Sequence, residues 1–91
     1  MASSNMNEDE ILKALEELTT RLGFKLRYEK GDFAGGGCRV GSEKMIIINN
    51  SLLDSQKIAI IAKELAKLDL DDTFLVPEIR EIIENGKRLE N

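Results

Sequence analysis

The sequence contains no histidine, no tryptophan and a single cysteine, and each shortage excludes a class of site. Without an imidazole, a cysteine nucleophile lacks its usual base, and the common histidine-containing zinc sites cannot form. The one thiol, Cys38, excludes both an internal disulfide and a thiolate cluster. We therefore expect a protein without metal or cofactor that is not an enzyme, and in particular neither a zinc hydrolase nor a Cys-His enzyme.

Long hydrophobic runs and clusters of basic residues are also missing. The longest apolar runs, 45–48 and 58–62, are too short to span a bilayer, and the N-terminus lacks the features of a secretion signal. The net charge is -4 with a pI near 4.8, and the thirteen basic residues are scattered. An acidic chain lacks the attraction for phosphate that nucleic-acid binders need. We expect a cytoplasmic protein that binds neither nucleic acid nor membrane.

Three segments have the apolar spacing of helices, and their ends are marked by capping residues. Residues 1–6 are predicted to be a disordered tail, and 7–91 a single domain. Asn7 and Glu10 have the spacing of a capping box, and Gly23 suits the end of the helix that follows. A second helix is predicted over 54–68, capped by Ser51 or Asp54. The third begins at Pro77 and ends at Asn85-Gly86.

Between the first two helices the pattern is typical of strands. Residues 24–29 and 38–40 alternate apolar with polar, which indicates strands with one buried face. The run 45–48 is continuously apolar and predicts a central strand covered on both faces. Because the connections are short, we expect a mostly antiparallel three-stranded sheet with the helices packed on one face. The predicted fold is therefore α+β, in the order α-β-β-β-α-α.

The segment from Ala62 to Leu68 has the spacing of a zinc-protease helix, in which two histidines four residues apart flank a glutamate. Here Glu64 stands at the glutamate position, whereas Lys63 and Lys67 replace the two histidines. A lysine ammonium has no lone pair to give a metal. The simpler interpretation is a solvated helix face carrying a Glu64–Lys67 ion pair.

The wider region from Gly35 to Leu70 resembles the ImmA/IrrE-type metallopeptidases. In that family a short strand ending near Asn precedes a helix with the sequence Ala-His-Glu-Leu-Gly-His, and here Asn49 is followed by Ala62, Glu64 and Leu65. Since both metal ligands are replaced, the resemblance implies a catalytically inactive, zincin-like relative that keeps a peptide groove without the metal. The chain is also similar to short uncharacterised bacterial proteins with the same Gly-rich, Cys-Arg and Leu-Asp-Leu features, which implies no function.

The run of three glycines before Cys38-Arg39 is a second candidate site. Glycine-rich loops expose backbone N–H groups that can hold an anion, and an arginine side chain adds further donors. This predicts a small-ligand or anion site at Gly35, Gly36, Gly37, Cys38 and Arg39. The alternatives are a flexible turn or bulge for the glycines and a small buried side chain for Cys38.

Without a catalytic constellation, we favour a non-enzymatic protein-interaction module that binds a protein partner or a second copy of itself as a homodimer. Ile60 lies outside the apolar stripe of its helix, and Phe74 stands in an irregular connection. Both are candidate contacts. The residues around Phe74 could also enter the core, which the sequence favours, because apolar residues before a helix often staple its start.

Overall fold

The computed structural model describes residues 6–88, which form three helices and three strands in the predicted order. These elements are α1 (Glu8–Arg21), β1 (Lys25–Glu29), β2 (Gly35–Val40), β3 (Glu43–Asn49), α2 (Asp54–Leu65) and α3 (Pro77–Arg88). The expected α+β fold is confirmed. Of the predicted tail, residues 1–5 lie outside the described range, whereas Met6 packs against the core. No helix within 6–88 is long and apolar enough to cross a membrane.

Local signals determine several of the helix ends. The side chain of Asn7 accepts from the Glu10 N–H at 2.8 Å, and Glu10 accepts from the Asn7 N–H at 3.0 Å, so the capping box is confirmed. α3 begins at Pro77 as predicted. α2 ends three residues earlier than expected, at Leu65, and is preceded by Leu53 instead of a polar cap. The Gln56 side chain accepts from the Leu53 N–H at 2.9 Å and serves that end of the helix.

α3 continues past Asn85-Gly86 to Arg88, although this pair was predicted to end it. The reason is a close approach of two helices. A Cβ on Gly86 would lie 2.9 Å from the carbonyl carbon and oxygen of Ala62 and 3.1 Å from the Lys63 nitrogen. Gly86 is thus a contact residue inside the helix that allows the backbones of α2 and α3 to meet.

The sheet has the strand order β1-β3-β2 and is mixed, with β1 parallel and β2 antiparallel to β3. One of the two strand pairs is therefore parallel, where a mostly antiparallel sheet was expected. β3 is the most apolar strand, and it takes the centre with Ile46 and Ile48 completely buried. As a result, the connection from β1 to β2 must pass the end of β3 to reach its other side.

Asn49, the last residue of β3, holds that connection in place. Its side-chain amide donates to the carbonyls of Gly31 at 2.9 Å and Phe33 at 2.8 Å, and its oxygen accepts from the Ser51 N–H at 3.0 Å. Asn49 is 9% exposed, so these bonds are largely shielded from water. The amide therefore fixes the crossover that places β2 beside β3.

The two faces of the sheet have different surroundings. On the helix face, Ile46 and Ile48 join the core with partly buried residues of β1, and α1 and α2 cover them. The opposite face, called the open face below, carries no helix within the described residues. Its β3 residues are still shielded, since Met45 and Asn49 are buried and Ile47 is half-buried, so both sides of β3 are covered as predicted, although helices supply the cover on one side only. Strand register and alternation assign these residues to the open face: Lys25, Arg27, Glu29, Gly36, Cys38, Val40, Glu43, Met45, Ile47 and Asn49.

Tyr28 links β1 to α1 and provides a titration test of the packing. Its hydroxyl donates to the Glu16 carboxylate. Burial, and then the hydrogen bond and charge of Glu16, raise the pKa of Tyr28 above its ordinary value of 10.0. Folding therefore favours the neutral phenol. Its contribution to stability is fully present below pH 10 and is lost as the pH rises through the folded pKa.

Tyr28 is the only tyrosine and the chain has no tryptophan, so tyrosinate absorbance reports this group alone. We expect the midpoint of its titration to lie higher in the native protein than in the urea-unfolded chain. Glu16→Gln should reduce that difference, since it removes the neighbouring charge. Equal midpoints in native and unfolded protein would contradict the Tyr28–Glu16 contact.

Candidate functional site

β2 is an edge strand with one long side paired to β3 and the other unpaired. The Asn49 N–H donates to the Ala34 carbonyl at 3.0 Å, and bonding alternates along an antiparallel pair. The N–H and C=O groups of Gly35, Gly37 and Arg39 therefore point away from β3. Within residues 6–88 these groups have no hydrogen-bond partner. They form a row of main-chain donors and acceptors that can receive another strand.

The other edge of the sheet, β1, is less suited to pairing. Lys25, Arg27 and Glu29 alternate along it, and charged side chains on an edge discourage the addition of a strand. β2 carries one charged residue, Arg39, in six positions. Of the two edges, β2 is thus the one left open to an incoming chain.

The Glu64 carboxylate lies directly against the backbone of this edge strand. A Cβ on Gly37 would lie 2.3 Å from Glu64 Oε1, so glycine provides the space that the carboxylate occupies. The Glu64 side chain is only 16% exposed and pairs with Lys67, whose Nζ lies 3.3 Å from Oε2. The predicted Glu64–Lys67 pair is therefore present, but Glu64 faces β2 instead of solvent.

The residues that the zinc-protease spacing singled out do not converge. Lys63 and Lys67 are exposed, and only Glu64 of the three turns toward the sheet. Ile60, predicted as a surface contact, is half-buried against the core, one helical turn before Glu64. Within the described part of the chain, no three side chains of the His, Cys, Asp or Glu types come together in a way that could hold a metal. We call Ile60, Glu64 and Lys67, the last of which lies just beyond the end of α2, the α2 flank; its Glu64 lies against β2.

The proposed glycine loop is a strand, and the structure divides its residues between two faces. Gly35, Gly36 and Gly37 belong to β2, because they pair with Ile48, Ile47 and Ile46. Cys38 lies on the open face and is exposed, so the expected burial of its side chain is wrong. Arg39 lies on the helix face. Cys38 and Arg39 therefore cannot act on one small ligand from the same side.

The open face carries an apolar surface that the sequence did not indicate. A shallow depression of about 460 Å³ is lined by Phe33, Ala34, Gly35, Gly36, Gly37, Cys38 and Ile47. Val40, in the same strand, is 58% exposed. The alternation of Cys38, Arg39 and Val40 was the available signal. Its exposed side could not be recognised without the position of β2 at the edge.

Phe74, the other predicted contact, is 82% exposed, so the interpretation as part of the core is wrong for this residue. Its neighbour Leu75 packs against the core instead. Phe74 borders a groove with Leu18 and Arg21 of α1, a helix that makes no contact with β2. Phe74 is therefore not part of the surface at the β2 edge.

No protein-family model matches this chain, and no curated protein or solved structure shows significant similarity to it. The resemblance of Gly35–Leu70 to the ImmA/IrrE-type metallopeptidases stays a prediction from the sequence pattern.

Proposed function

We propose that this chain is a non-enzymatic protein-interaction module that binds an extended polypeptide segment as a fourth strand along β2. The observation that supports the proposal is the row of unpaired main-chain groups at Gly35, Gly37 and Arg39. In strand addition these groups supply the hydrogen bonds, and the surfaces on either side of the new strand select its side chains.

The two sides of an added strand would meet different chemistry. Side chains on the open face would lie beside Cys38, Phe33 and Ile47, in the apolar depression. Those on the helix face would meet the α2 flank with its Glu64–Lys67 pair. A segment that alternates apolar with polar residues fits this arrangement, because successive side chains of a strand point to opposite faces.

The proposal agrees with what the sequence resemblance implies, a peptide groove that has lost its metal. Lys63 and Lys67, at the ligand positions, cannot coordinate zinc while they are protonated. Glu64 packs against Gly37 and pairs with Lys67, so its carboxylate is engaged by these two neighbours. Binding without hydrolysis is the activity that these substitutions leave.

Removal of one outward N–H tests the proposal. Arg39→Pro deletes the main-chain donor of Arg39, and proline is tolerated on an edge strand where the N–H faces solvent. Arg39→Ala is the matched control, because it removes the side chain and keeps the N–H. The probe is a set of linear peptides selected from a random display library against the dilute native protein.

We expect Arg39→Pro to lower the affinity for the selected peptides by about tenfold or more, since a hydrogen bond is lost and the proline ring obstructs pairing. Arg39→Ala should bind these peptides with nearly the affinity of the native protein. The amides of Gly35, Gly37 and Arg39 should also exchange with solvent more slowly when a peptide is bound. Equal binding to both variants, or unchanged exchange at these amides, would refute strand addition at β2.

A further inference from the structure

We infer that the segment received by β2 is β2 of a second copy of this chain, paired antiparallel about a two-fold axis at Cys38. This inference rests on the proposed function, because it names the partner of the same edge. Two-fold dimers are the commonest assemblies of soluble proteins, and joining the two edges would leave no unpaired β2. The product is one continuous sheet of six strands.

The outward groups of β2 suit this pairing. With the axis at Cys38, Gly37 stands opposite Arg39 of the second copy, and Arg39 stands opposite its Gly37. Gly37 and Arg39 both direct their N–H and C=O groups outward, so each pair can exchange two hydrogen bonds. The only charged side chain of β2 therefore stands opposite a glycine, and no like charge lies directly across the strand pair from it.

Charge complementarity supports the same register. Glu64 lies over Gly37, where a Cβ would be 2.3 Å from its Oε1. Arg39 shares the helix face with Gly37. Because Arg39 of the second copy stands opposite Gly37, its guanidinium is brought beside the Glu64 carboxylate. The two-fold axis repeats this contact, which gives two ion pairs across the dimer interface.

A neighbouring register, with the axis at Gly37, is less favourable. It also uses the outward groups of Gly35, which adds two hydrogen bonds to the dimer, but it places the two Gly37 residues opposite each other with a Glu64 carboxylate over each. Like charges directly across strands are destabilising, whereas each of the two added backbone hydrogen bonds makes a modest net contribution. The register at Cys38 replaces this repulsion with the Arg39–Glu64 attraction.

The helices fit the same assembly. α2 contacts both β2 and β3, so joining the edges brings two α2 helices side by side over the new strand pair. With strands about 4.8 Å apart, such helices would lie near the 8–10 Å spacing of packed helices. Ile60, half-buried in the single chain, is on the flank that would gain cover.

Cys38 reports on the register directly. With the axis at Cys38, the two thiols face each other on the open face in a non-hydrogen-bonded pair. The Cα separation in such a pair is about 4.5 Å, within the range that a disulfide bridges. In the register at Gly37, Cys38 stands opposite Gly36 and the thiols are offset. Cys38 is exposed, so an oxidant can reach it.

The experiment combines light scattering with oxidative trapping on the full chain, from micromolar to millimolar concentration. We expect a dimer whose fraction rises with concentration. Arg39→Glu and Glu64→Lys should each weaken it by about tenfold or more, and the double variant should recover most of the loss. Lys30→Glu makes the same change in net charge as Arg39→Glu, but on an exposed connection, and should have little effect.

Trapping uses diamide, which accepts two protons and two electrons as two Cys38 thiols form one disulfide. A covalent dimer should appear where the non-covalent dimer forms, and Cys38→Ser should prevent it. A monomer at every concentration overturns this inference, while strand addition still holds if peptides protect the outward amides of β2. A dimer that is insensitive to Arg39→Glu and not trapped by diamide also overturns it, because its interface lies elsewhere.

Discussion

Gly86→Val is expected to lower the free energy of unfolding by about 3 kcal/mol, the upper part of the usual range for overpacking. The first side-chain carbon alone would lie 2.9 Å from the carbonyl of Ala62. The obstacle is backbone on a neighbouring helix, so relief requires α2 and α3 to move apart. Their separation would disturb the packing of buried Ile79 and Ile83.

Asn85→Val is the matched control, since Asn85 is exposed on the same helix, one residue away. It should change stability by less than about 0.5 kcal/mol. Thermal unfolding followed by circular dichroism measures both variants. For a domain of this size, the stability lost in Gly86→Val corresponds to a fall in Tm of about 15 °C. Similar midpoints for the two variants would show that α2 and α3 do not meet at Gly86.

Asn49→Asp is expected to cost about 3 kcal/mol at neutral pH, although the side chain keeps its size. The two donors to the carbonyls of Gly31 and Phe33 are lost, and a negative charge takes their place against two oxygens. Most of this loss of stability comes from polar groups that lose their hydrogen-bond partners in a site shielded from water. Asn50→Asp is the control, because it makes the same chemical change one residue later, at a position that is exposed.

The penalty at position 49 should depend on pH. Carbonyl oxygens around the new carboxyl favour its neutral form, so its pKa is raised in the folded state above the ordinary value near 4. Stability is then greatest below pH 4 and is lost as the pH rises through the folded pKa. Urea unfolding between pH 4 and 8 should show that the free energy of unfolding of Asn49→Asp approaches that of the native protein at low pH. Asn50→Asp should not show this trend. Equal behaviour of the two variants would contradict the role of Asn49.

The features that the sequence predicted well are those determined by neighbours along the chain. The capping pair Asn7 and Glu10, and the start of α3 at Pro77, follow from groups within one helical turn. The alternation in β1 and the apolar run in β3 identified both strands. Together these signals were sufficient for the α+β fold and the order of its elements.

The errors concern residues whose conformation depends on distant contacts. Glycine is a residue type that commonly ends helices, but the role of Gly86 is determined by its contact with Ala62, more than twenty residues earlier. Gly35–Gly37 form a strand because β3 lies beside them, which composition alone does not indicate. The parallel pairing of β1 follows from the path of the crossover that Asn49 holds, and no local pattern encodes that path.

The candidate site illustrates the same limit. Gly37, Arg39 and Glu64 were each singled out from the sequence, but with different expected roles, the first two in an anion loop and Glu64 in a protease helix. Only the fold brings Glu64 onto Gly37. The surface at β2 therefore combines residues whose proximity could not be inferred from their spacing along the chain.

The parallel pairing of β1 with β3 also has a kinetic consequence. β2 and β3 are joined by a two-residue turn, and hairpins of this kind form within microseconds. β1 must instead find a partner twenty residues away, as Lys25 pairs with Met45. Contacts of greater sequence separation close more slowly. We expect the hairpin to form first and β1 to dock last, so that during folding the exposed side of β3 is for a time a second open edge.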